Sequence, residues 1–163
     1  MDKKLERSNA DKVLRRFAKH IQAFGFVRTK PAYFVREAGP VIEFIHIHKY
    51  SFGPCFRMHL CIRVLNEPMD FIALAGPTER ELLEDVRFEF GADIAAVESC
   101  ANVMGDFVFN YAEPWFQKWT DREALLEEDS PLYDDQKMAL QLALAGESNC
   151  MNVELSKLLL KIA

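Results

Sequence analysis

Hydrophobic and polar residues alternate along residues 41–64, and this is the most regular pattern in the chain. Two alternating runs, residues 41–50 and 55–64, flank the turn-forming sequence Ser51-Phe52-Gly53-Pro54. Successive side chains of a strand point to opposite faces, so the pattern predicts a β-hairpin in which each face has its own composition.

A tight, symmetric turn would divide the hairpin residues between two faces. One face would be mostly apolar, with the pairs Lys49–Phe56, Ile47–Met58, Ile45–Leu60, Glu43–Ile62 and Val41–Val64. The opposite face, called the second face below, would carry His48 with Arg57, His46 with His59, Phe44 with Cys61 and Ile42 with Arg63. We expect the apolar face to form the core and the second face to be free for contact, since one solvated side is common in antiparallel sheets.

Apolar residues at helical spacing precede the hairpin. Ser8 or Asn9 is placed to cap a first helix, and Gly25 is placed to end it. The segments 26–28 and 33–37 then predict extended structure, and Ala38-Gly39-Pro40 predicts a turn into the hairpin.

The segment after the hairpin has a weaker pattern, and the secondary structure of residues 69–92 is not defined by it. Residues 69–75 are apolar and predict either a short strand or a segment that covers the sheet. Residues 86–90 alternate and predict another strand. Asp93 is expected to cap a long helix that Glu113-Pro114 closes, because proline cannot continue the helical hydrogen bonds.

The last third of the chain is predicted to be helical. Residues 114–119 predict a short helical turn that places two tryptophans in the core, and a capping box introduces a helix over residues 121–128. Residues 132–145 and 151–162 predict a helical hairpin, with Asn149 or Asn152 capping its second helix.

Together these elements predict a single α+β domain over residues 1–163, which is long enough for one sizeable core. Residues 1–92 would supply a helix plus the sheet, and residues 93–163 a helical part that packs on it. We expect a small antiparallel sheet of three to four strands, with helices packed on one face and a helical C-terminus.

Composition favours an ordinary globular protein, because 50% of the residues are apolar and 28% are charged. No apolar run approaches the roughly 20 residues of a membrane-spanning helix, and no signal-peptide core follows the N-terminal residues. Cys55, Cys61, Cys100 and Cys150 form no C-x-x-C pair or zinc-finger spacing. Free thiols in a reducing compartment are therefore expected, and we predict the cytoplasm as the location.

Charge is distributed unevenly along the chain. Residues 1–65 contain 13 Lys and Arg against 5 Asp and Glu, whereas residues 66–163 contain 7 against 20. The basic half raises the hypothesis of nucleic-acid binding. We favour partial neutralisation between two halves that pack together, because the sequence contains no dense run of Lys and Arg.

Four short stretches together resemble one uncharacterised bacterial family. They are Gly25-Phe26, Phe34-Val35-Arg36, Lys49-Tyr50-Ser51-Phe52-Gly53, and the proline-aromatic stretch Tyr111-Ala112-Glu113-Pro114-Trp115-Phe116 continuing through Thr120–Leu126. On the basis of these stretches, most of the chain resembles domain of unknown function 4304. Residues 69–92 lie outside the resemblance. The resemblance implies an α+β architecture and a bacterial origin, and it implies no catalytic residue.

The histidines of the second face are the candidate chemistry of the chain. His46 and His59 would have Cβ atoms about 4.5–5.5 Å apart if paired directly, and His48 and Cys61 would share their face. These four residues could ligate zinc or copper, and Cys61 with a histidine could form a nucleophile and base. A metal- or cysteine-dependent enzyme is therefore one hypothesis. Our main prediction contains no catalytic residue, metal or cofactor, because glycine-rich phosphate loops, serine elbows and H-E-x-x-H motifs are absent from the sequence.

The same face is also suited to binding. Arginine and aromatic residues are favoured at interfaces because they bury area and still make directed contacts. We predict a non-enzymatic cytoplasmic binding protein, immunity- or adaptor-like, whose protein partner would be acidic, with nucleic acid as the second choice of partner. The predicted binding residues are His46, His48, Tyr50, Arg57, His59 and Arg63.

Overall fold

The computed structural model describes residues 1–163 and has an α+β fold built on a five-stranded antiparallel sheet. The strands pair in chain order, so each one neighbours the strand that precedes it. The sheet therefore has more strands than the three to four expected, and the last of them is only two residues long. The strands are β1 (Val27–Lys30), β2 (Tyr33–Ala38), β3 (Val41–Lys49), β4 (Cys55–Val64) and β5 (Phe88–Glu89).

Helices precede and follow the sheet. Most of them pack against its apolar face, where α1 and α3 also contact each other. No helix combines the length and the apolar character that crossing a membrane would require. The helices are α1 (Lys3–Ile21), α2 (Glu79–Leu82), α3 (Ile94–Phe107), α4 (Glu113–Lys118), α5 (Asp134–Leu144) and α6 (Cys150–Leu159).

The predicted register of the central hairpin is confirmed at every pair from Val41–Val64 to Lys49–Phe56. The apolar face forms the main core, which eight of its ten paired residues enter. The two exceptions are charged and paired: Glu43 binds Arg36 of β2, and Lys49 binds Glu6 of α1. The alternation of the hairpin therefore determines which side of the sheet the helices cover.

The first helix begins earlier than the sequence suggested. Asp2, rather than Ser8 or Asn9, is the N-cap, and its carboxylate accepts a hydrogen bond from Leu5 N at 2.8 Å. Asn9 is instead buried in the middle of α1, where its side-chain amide donates to the carbonyl oxygens of Gly91 and Ala92. Asn9 therefore ties the helix to the segment between β5 and α3.

The helix capped by Asp93 does not close at Glu113-Pro114. It passes from α3 through a π-helical turn, Val108–Ala112, and continues as α4 to Lys118. The wider turn bonds Glu113 N to Val108 O, and Pro114 follows at the first turn of α4, where a missing N–H is tolerated. Of the two tryptophans expected in the core, Trp119 is buried and Trp115 is partly buried.

Other predicted boundaries are confirmed or shortened. Residues 69–75 form no strand and instead cover the sheet. The strand expected over residues 86–90 contains only Phe88–Glu89. The helix expected over residues 121–128 is a 3-10 turn, Arg122–Leu126. The C-terminal helical hairpin is confirmed, with Asn149 as the cap of α6.

The second face is covered at the end where Ile42 and Arg63 lie, and α6 contributes to this cover, so the expectation of helices on one face only was wrong. A second, smaller core contains Ile42, Phe44 and Cys61 of the hairpin together with Val35 and Leu160. Residues 69–74, called the covering segment below, supply Ile72 and Leu74 to it, and the residues that follow α6 supply Ile162. Ile42 and Phe44 have no exposed surface, as expected for apolar residues that would otherwise face water.

A buried ion pair holds this cover in place. Arg63 of β4 and Glu67 are 1% and 0% exposed in their side chains, and their charged groups approach to 2.9 Å. Arg63 also donates to Ser156 Oγ of α6 at 2.8 Å and to the carbonyl oxygens of Met69 and Phe71. Burial lowers the pKa of Arg63 and raises that of Glu67, in each case against the opposing effect of the partner charge. One guanidinium therefore connects the sheet, the covering segment and α6.

Replacing Arg63 by methionine is expected to lower the free energy of unfolding by about 3–5 kcal/mol, because Glu67 would be left as an unpaired buried charge. Urea unfolding of Arg63→Met measures this loss. The matched control is Lys157→Met, which breaks the exposed Lys157–Glu37 pair and should cost less than about 1 kcal/mol. Equal losses in the two variants would contradict the role assigned to Arg63.

Candidate functional site

The second face of the hairpin remains open at the end nearest the β3–β4 turn. Pairing places His46 between Tyr33 of β2 and His59 of β4, and it places His48 beside Arg57. His48 and Arg57 are exposed, whereas His46 and His59 are partly buried. We call this open area the hairpin surface; its residues are Lys30, Tyr33, His46, His48, Tyr50, Arg57 and His59.

His46 lies at the centre of the hairpin surface. Its ring centroid is 4.8 Å from that of Tyr33, and the Lys30 ammonium lies 4.4 Å from the Tyr33 ring centroid. Burial lowers the pKa of His46, and together with the nearby His48, His59 and Lys30, each of which can carry positive charge, it brings the pKa to about 4. His46 is therefore a neutral ring at neutral pH, in surroundings that already favour an anion.

His59 is held by the edge of the covering segment. Its Nε2 lies 2.9 Å from the carbonyl oxygen of Gly76, a distance at which a ring N–H donates to that oxygen. Gly76 has a φ of +152°, and a Cβ there would lie 1.9 Å from Leu60 O. The chain can run this close to β4 only with glycine at that position, and this approach places the carbonyl beside His59.

Arg57 is the exposed cation of the hairpin surface. Its Nε donates to Tyr50 Oη at 3.0 Å, its guanidinium carbon lies 5.4 Å from the Tyr50 ring centroid, and it forms no ion pair with a carboxylate. His48 meets the same tyrosine edge-on, with 5.7 Å between ring centroids. The remaining guanidinium N–H groups of Arg57 are free to donate to an anionic ligand.

Arg63 does not belong to this surface, although the sequence placed it there. Its side chain is 1% exposed, because the covering segment and α6 close over that end of the second face. The register was predicted correctly, but alternation along the hairpin does not reveal what a distant segment covers. Arg63 therefore serves the fold, while the other five predicted binding residues lie on the hairpin surface.

The candidate metal ligands are not brought together. No group of three or more His, Cys, Asp or Glu side chains in the structure is arranged to hold a metal ion. Cys61 is fully buried beneath the covering segment, and burial raises the pKa of its thiol well above the ordinary value. Because a metal ligand or a nucleophile must be the thiolate, Cys61 is suited to neither role.

Sequence reasoning missed Lys30 and Tyr33. The β2–β3 pairing brings Tyr33 opposite His46, and the β1–β2 pairing brings Lys30 opposite Tyr33. The predicted turn at Ala38-Gly39-Pro40 could have revealed the place of Tyr33. A tight turn there pairs Tyr33 with His46, just as the turn between β3 and β4 pairs His46 with His59.

Residues that carry the family resemblance meet at a different place, around Arg36 on the apolar face. Arg36 donates to Glu43 at 2.7 Å, to Glu113 at 2.8 Å and to Phe24 O at 2.7 Å. The guanidinium carbon lies 4.2 Å from the Phe26 ring centroid. Burial raises the pKa of Glu113, although its ion pair with Arg36 acts in the opposite direction. These contacts join the sheet to the start of α4, which is a structural role.

Comparison of the chain with protein-family models, with curated proteins and with solved structures gave no match. The resemblance to domain of unknown function 4304 therefore stays a prediction. Residues of that resemblance meet around Arg36, and their contacts there hold parts of the fold together.

The lowered pKa of His46 predicts a pH dependence of stability. Between about pH 6.5 and pH 4 the unfolded chain binds a proton at His46 that the folded chain does not bind, so the free energy of unfolding falls as the pH falls. His46→Gln should remove part of this loss, on the order of 1 kcal/mol between about pH 7 and pH 5 after allowance for solvent screening.

Urea unfolding at the two pH values measures the difference. His20→Gln is the control, because His20 is exposed on α1 and lies away from the hairpin surface. The control should lose as much stability as the wild type. An unchanged loss in His46→Gln would show that the hairpin surface does not hold His46 neutral.

Proposed function

We propose that the chain is a non-enzymatic cytoplasmic binding protein whose hairpin surface takes an anionic macromolecular partner. The observation that carries this proposal is the geometry of the hairpin surface: Lys30 and Tyr33 lie on one side of His46 and His59 on the other, Arg57 is exposed beside His48, and none of these cationic side chains pairs with a carboxylate. The positive groups among them also lower the pKa of His46. A cluster of hydrogen-bond donors without a counter-charge is complementary to a phosphate or a carboxylate.

Arg57 is the anchor in this proposal. It is exposed, it forms no ion pair, and its hydrogen bond to Tyr50 holds the guanidinium in one orientation. A guanidinium that is already oriented loses less freedom on binding and can donate two parallel hydrogen bonds to a carboxylate or phosphate. The rings of Tyr33 and Tyr50 provide apolar contact area on either side of the histidines.

The positive field is local, since the chain as a whole has a formal net charge of −5. Elsewhere the two halves neutralise each other in part, as in the pairs Arg36–Glu113 and Arg16–Glu98. A local patch on an acidic protein favours one docking site over general adsorption to polyanions. An adaptor- or immunity-like role, in which one small domain occupies one partner, is consistent with such a patch.

An enzymatic function on the same face has less support. The thiol that would act as nucleophile is buried, its pKa is raised, and the nearest imidazoles lie on the open half of the face.

Heparin provides a simple polyanionic probe for this proposal. Wild-type protein should bind immobilised heparin at about 50 mM salt, and Arg57→Gln should weaken binding about fivefold to tenfold through loss of a charged hydrogen bond. Biolayer interferometry measures the change in dissociation constant.

Arg15→Gln is the matched control, because it removes the same charge from an exposed arginine of α1. Its affinity for heparin should match that of the wild type. If both variants lose affinity equally, binding reflects the overall charge of the basic half, and the hairpin surface is not the site.

A further inference from the structure

The tip of the hairpin presents an aromatic side chain that the fold does not use. Phe52 is 81% exposed, more than any other large hydrophobic residue in the chain. Its ring lies 4.8 Å from the Tyr50 ring at an interplanar angle of 32°. An exposed phenylalanine at a turn does not contribute to the core, and beside Tyr50 it leaves aromatic surface at the tip open to a ligand.

The tip is ordered by its own hydrogen bonds. Tyr50 N donates to Cys55 O at 3.0 Å, and the Lys49 ammonium donates to Tyr50 O at 2.9 Å while it pairs with Glu6 of α1. Arg57 and His48 hold the Tyr50 ring on its other sides. Phe52 is therefore displayed on a preorganised loop, which lowers the ordering cost of a contact made through it.

Two clefts lie beside the tip, and Tyr50 lines both of them. The first, of about 260 Å³, extends from Phe52 over Phe56 and Phe88 to Arg80 and Arg87, and its lining also includes Glu79 and Glu89, of which Glu89 pairs with Arg87. The second, of about 290 Å³, lies between the loop and the start of α1 and is lined by Lys3, Arg7, Lys49 and Glu6, of which Glu6 pairs with Lys49. Aromatic surface at the tip is thus flanked on either side by a cation without a carboxylate partner, Arg80 in the first cleft and Arg7 in the second.

We propose that the hairpin tip binds single-stranded nucleic acid, with a base stacked on Phe52 and the adjoining phosphates at Arg57, at Arg80 and at the cations of α1. This inference rests on the proposed function and names the class of its anionic partner. Stacking on an exposed aromatic together with a positively charged path is the usual chemistry of single-strand recognition. Arg7, Arg57 and Arg80 form no ion pair with a carboxylate, so each can meet a phosphate.

A duplex and an acidic protein fit the tip less well. The bases of a duplex are stacked on each other, so their faces are not available to Phe52. A protein would have to enclose Phe52 in an apolar pocket and would desolvate the surrounding cations in doing so. Glu84 and Asp85 line a cleft together with Arg80, so a strand that continued past α2 would meet two carboxylates.

The test uses the full chain and a fluorescein-labelled oligothymidylate of about ten nucleotides, with binding followed by fluorescence anisotropy at about 50 mM salt. Phe52→Ala should weaken binding at least fivefold, on the order expected for one lost stacking contact. Phe52→Tyr keeps the ring and should bind as the wild type does. Phe71→Ala, which removes another exposed phenylalanine from the covering segment, is the matched control and should have no effect.

Arg80→Gln should weaken binding. The slope of the logarithm of the affinity against the logarithm of the salt concentration should fall by about the amount expected for one lost phosphate contact. The proposal is overturned if the oligothymidylate does not bind, or if Phe52→Ala and Phe71→Ala bind it equally. Tighter binding of labelled polyglutamate, with the same loss in Phe52→Ala, would overturn it in favour of an acidic protein.

Heparin binding separates this proposal from the proposed function. If Arg57 contributes to heparin binding while the oligothymidylate fails to bind, the anion-binding function stands and the nucleic-acid assignment fails. If heparin binding is also independent of Arg57, both fail.

Discussion

The pairing of β3 with β4 in one register determines the surroundings of every residue on both strands. A slip by one residue would turn one strand over relative to the other, so that the histidine of one strand would lie among the aliphatic residues of the other. The aliphatic residues lose contact with water only in the observed register, which is why it is the stable one. The site follows from this constraint, because neighbouring histidines on one face are a consequence of pairing the aliphatic residues on the other.

The two ends of the second face have different roles. At one end Arg63, buried and paired with Glu67, attaches the covering segment and α6 over Ile42 and Phe44. At the other end the cover stops at Gly76, whose carbonyl oxygen meets His59. Two cations of similar chemistry thus have opposite roles on one strand. Arg63 has its charge compensated inside the protein, whereas Arg57 forms no ion pair and faces solvent.

Much of this arrangement could be predicted from local sequence, and the failures have a common cause. Alternation and turn residues were sufficient for the hairpin register, and helical spacing and capping residues were sufficient for α3, α5 and α6. Local patterns do not show which segment packs on which surface. The burial of Arg63 and Cys61 depends on residues 69–74, which follow β4 closely but have no strand pattern of their own, and on α6, which lies far along the chain. The same limit explains Asn9, which resembles a helix cap in sequence but binds Gly91 and Ala92 across the fold.

The most direct test of the account is an amide NMR titration of the full chain with a heparin oligosaccharide, with the shift of each backbone signal mapped along β3 and β4. The account predicts that the largest changes fall on His46, His48, Arg57 and His59, and that Ile42 and Phe44 on the covered half of the same face stay unchanged. Changes concentrated on Ile42 and Phe44, or absent from the hairpin altogether, would contradict it.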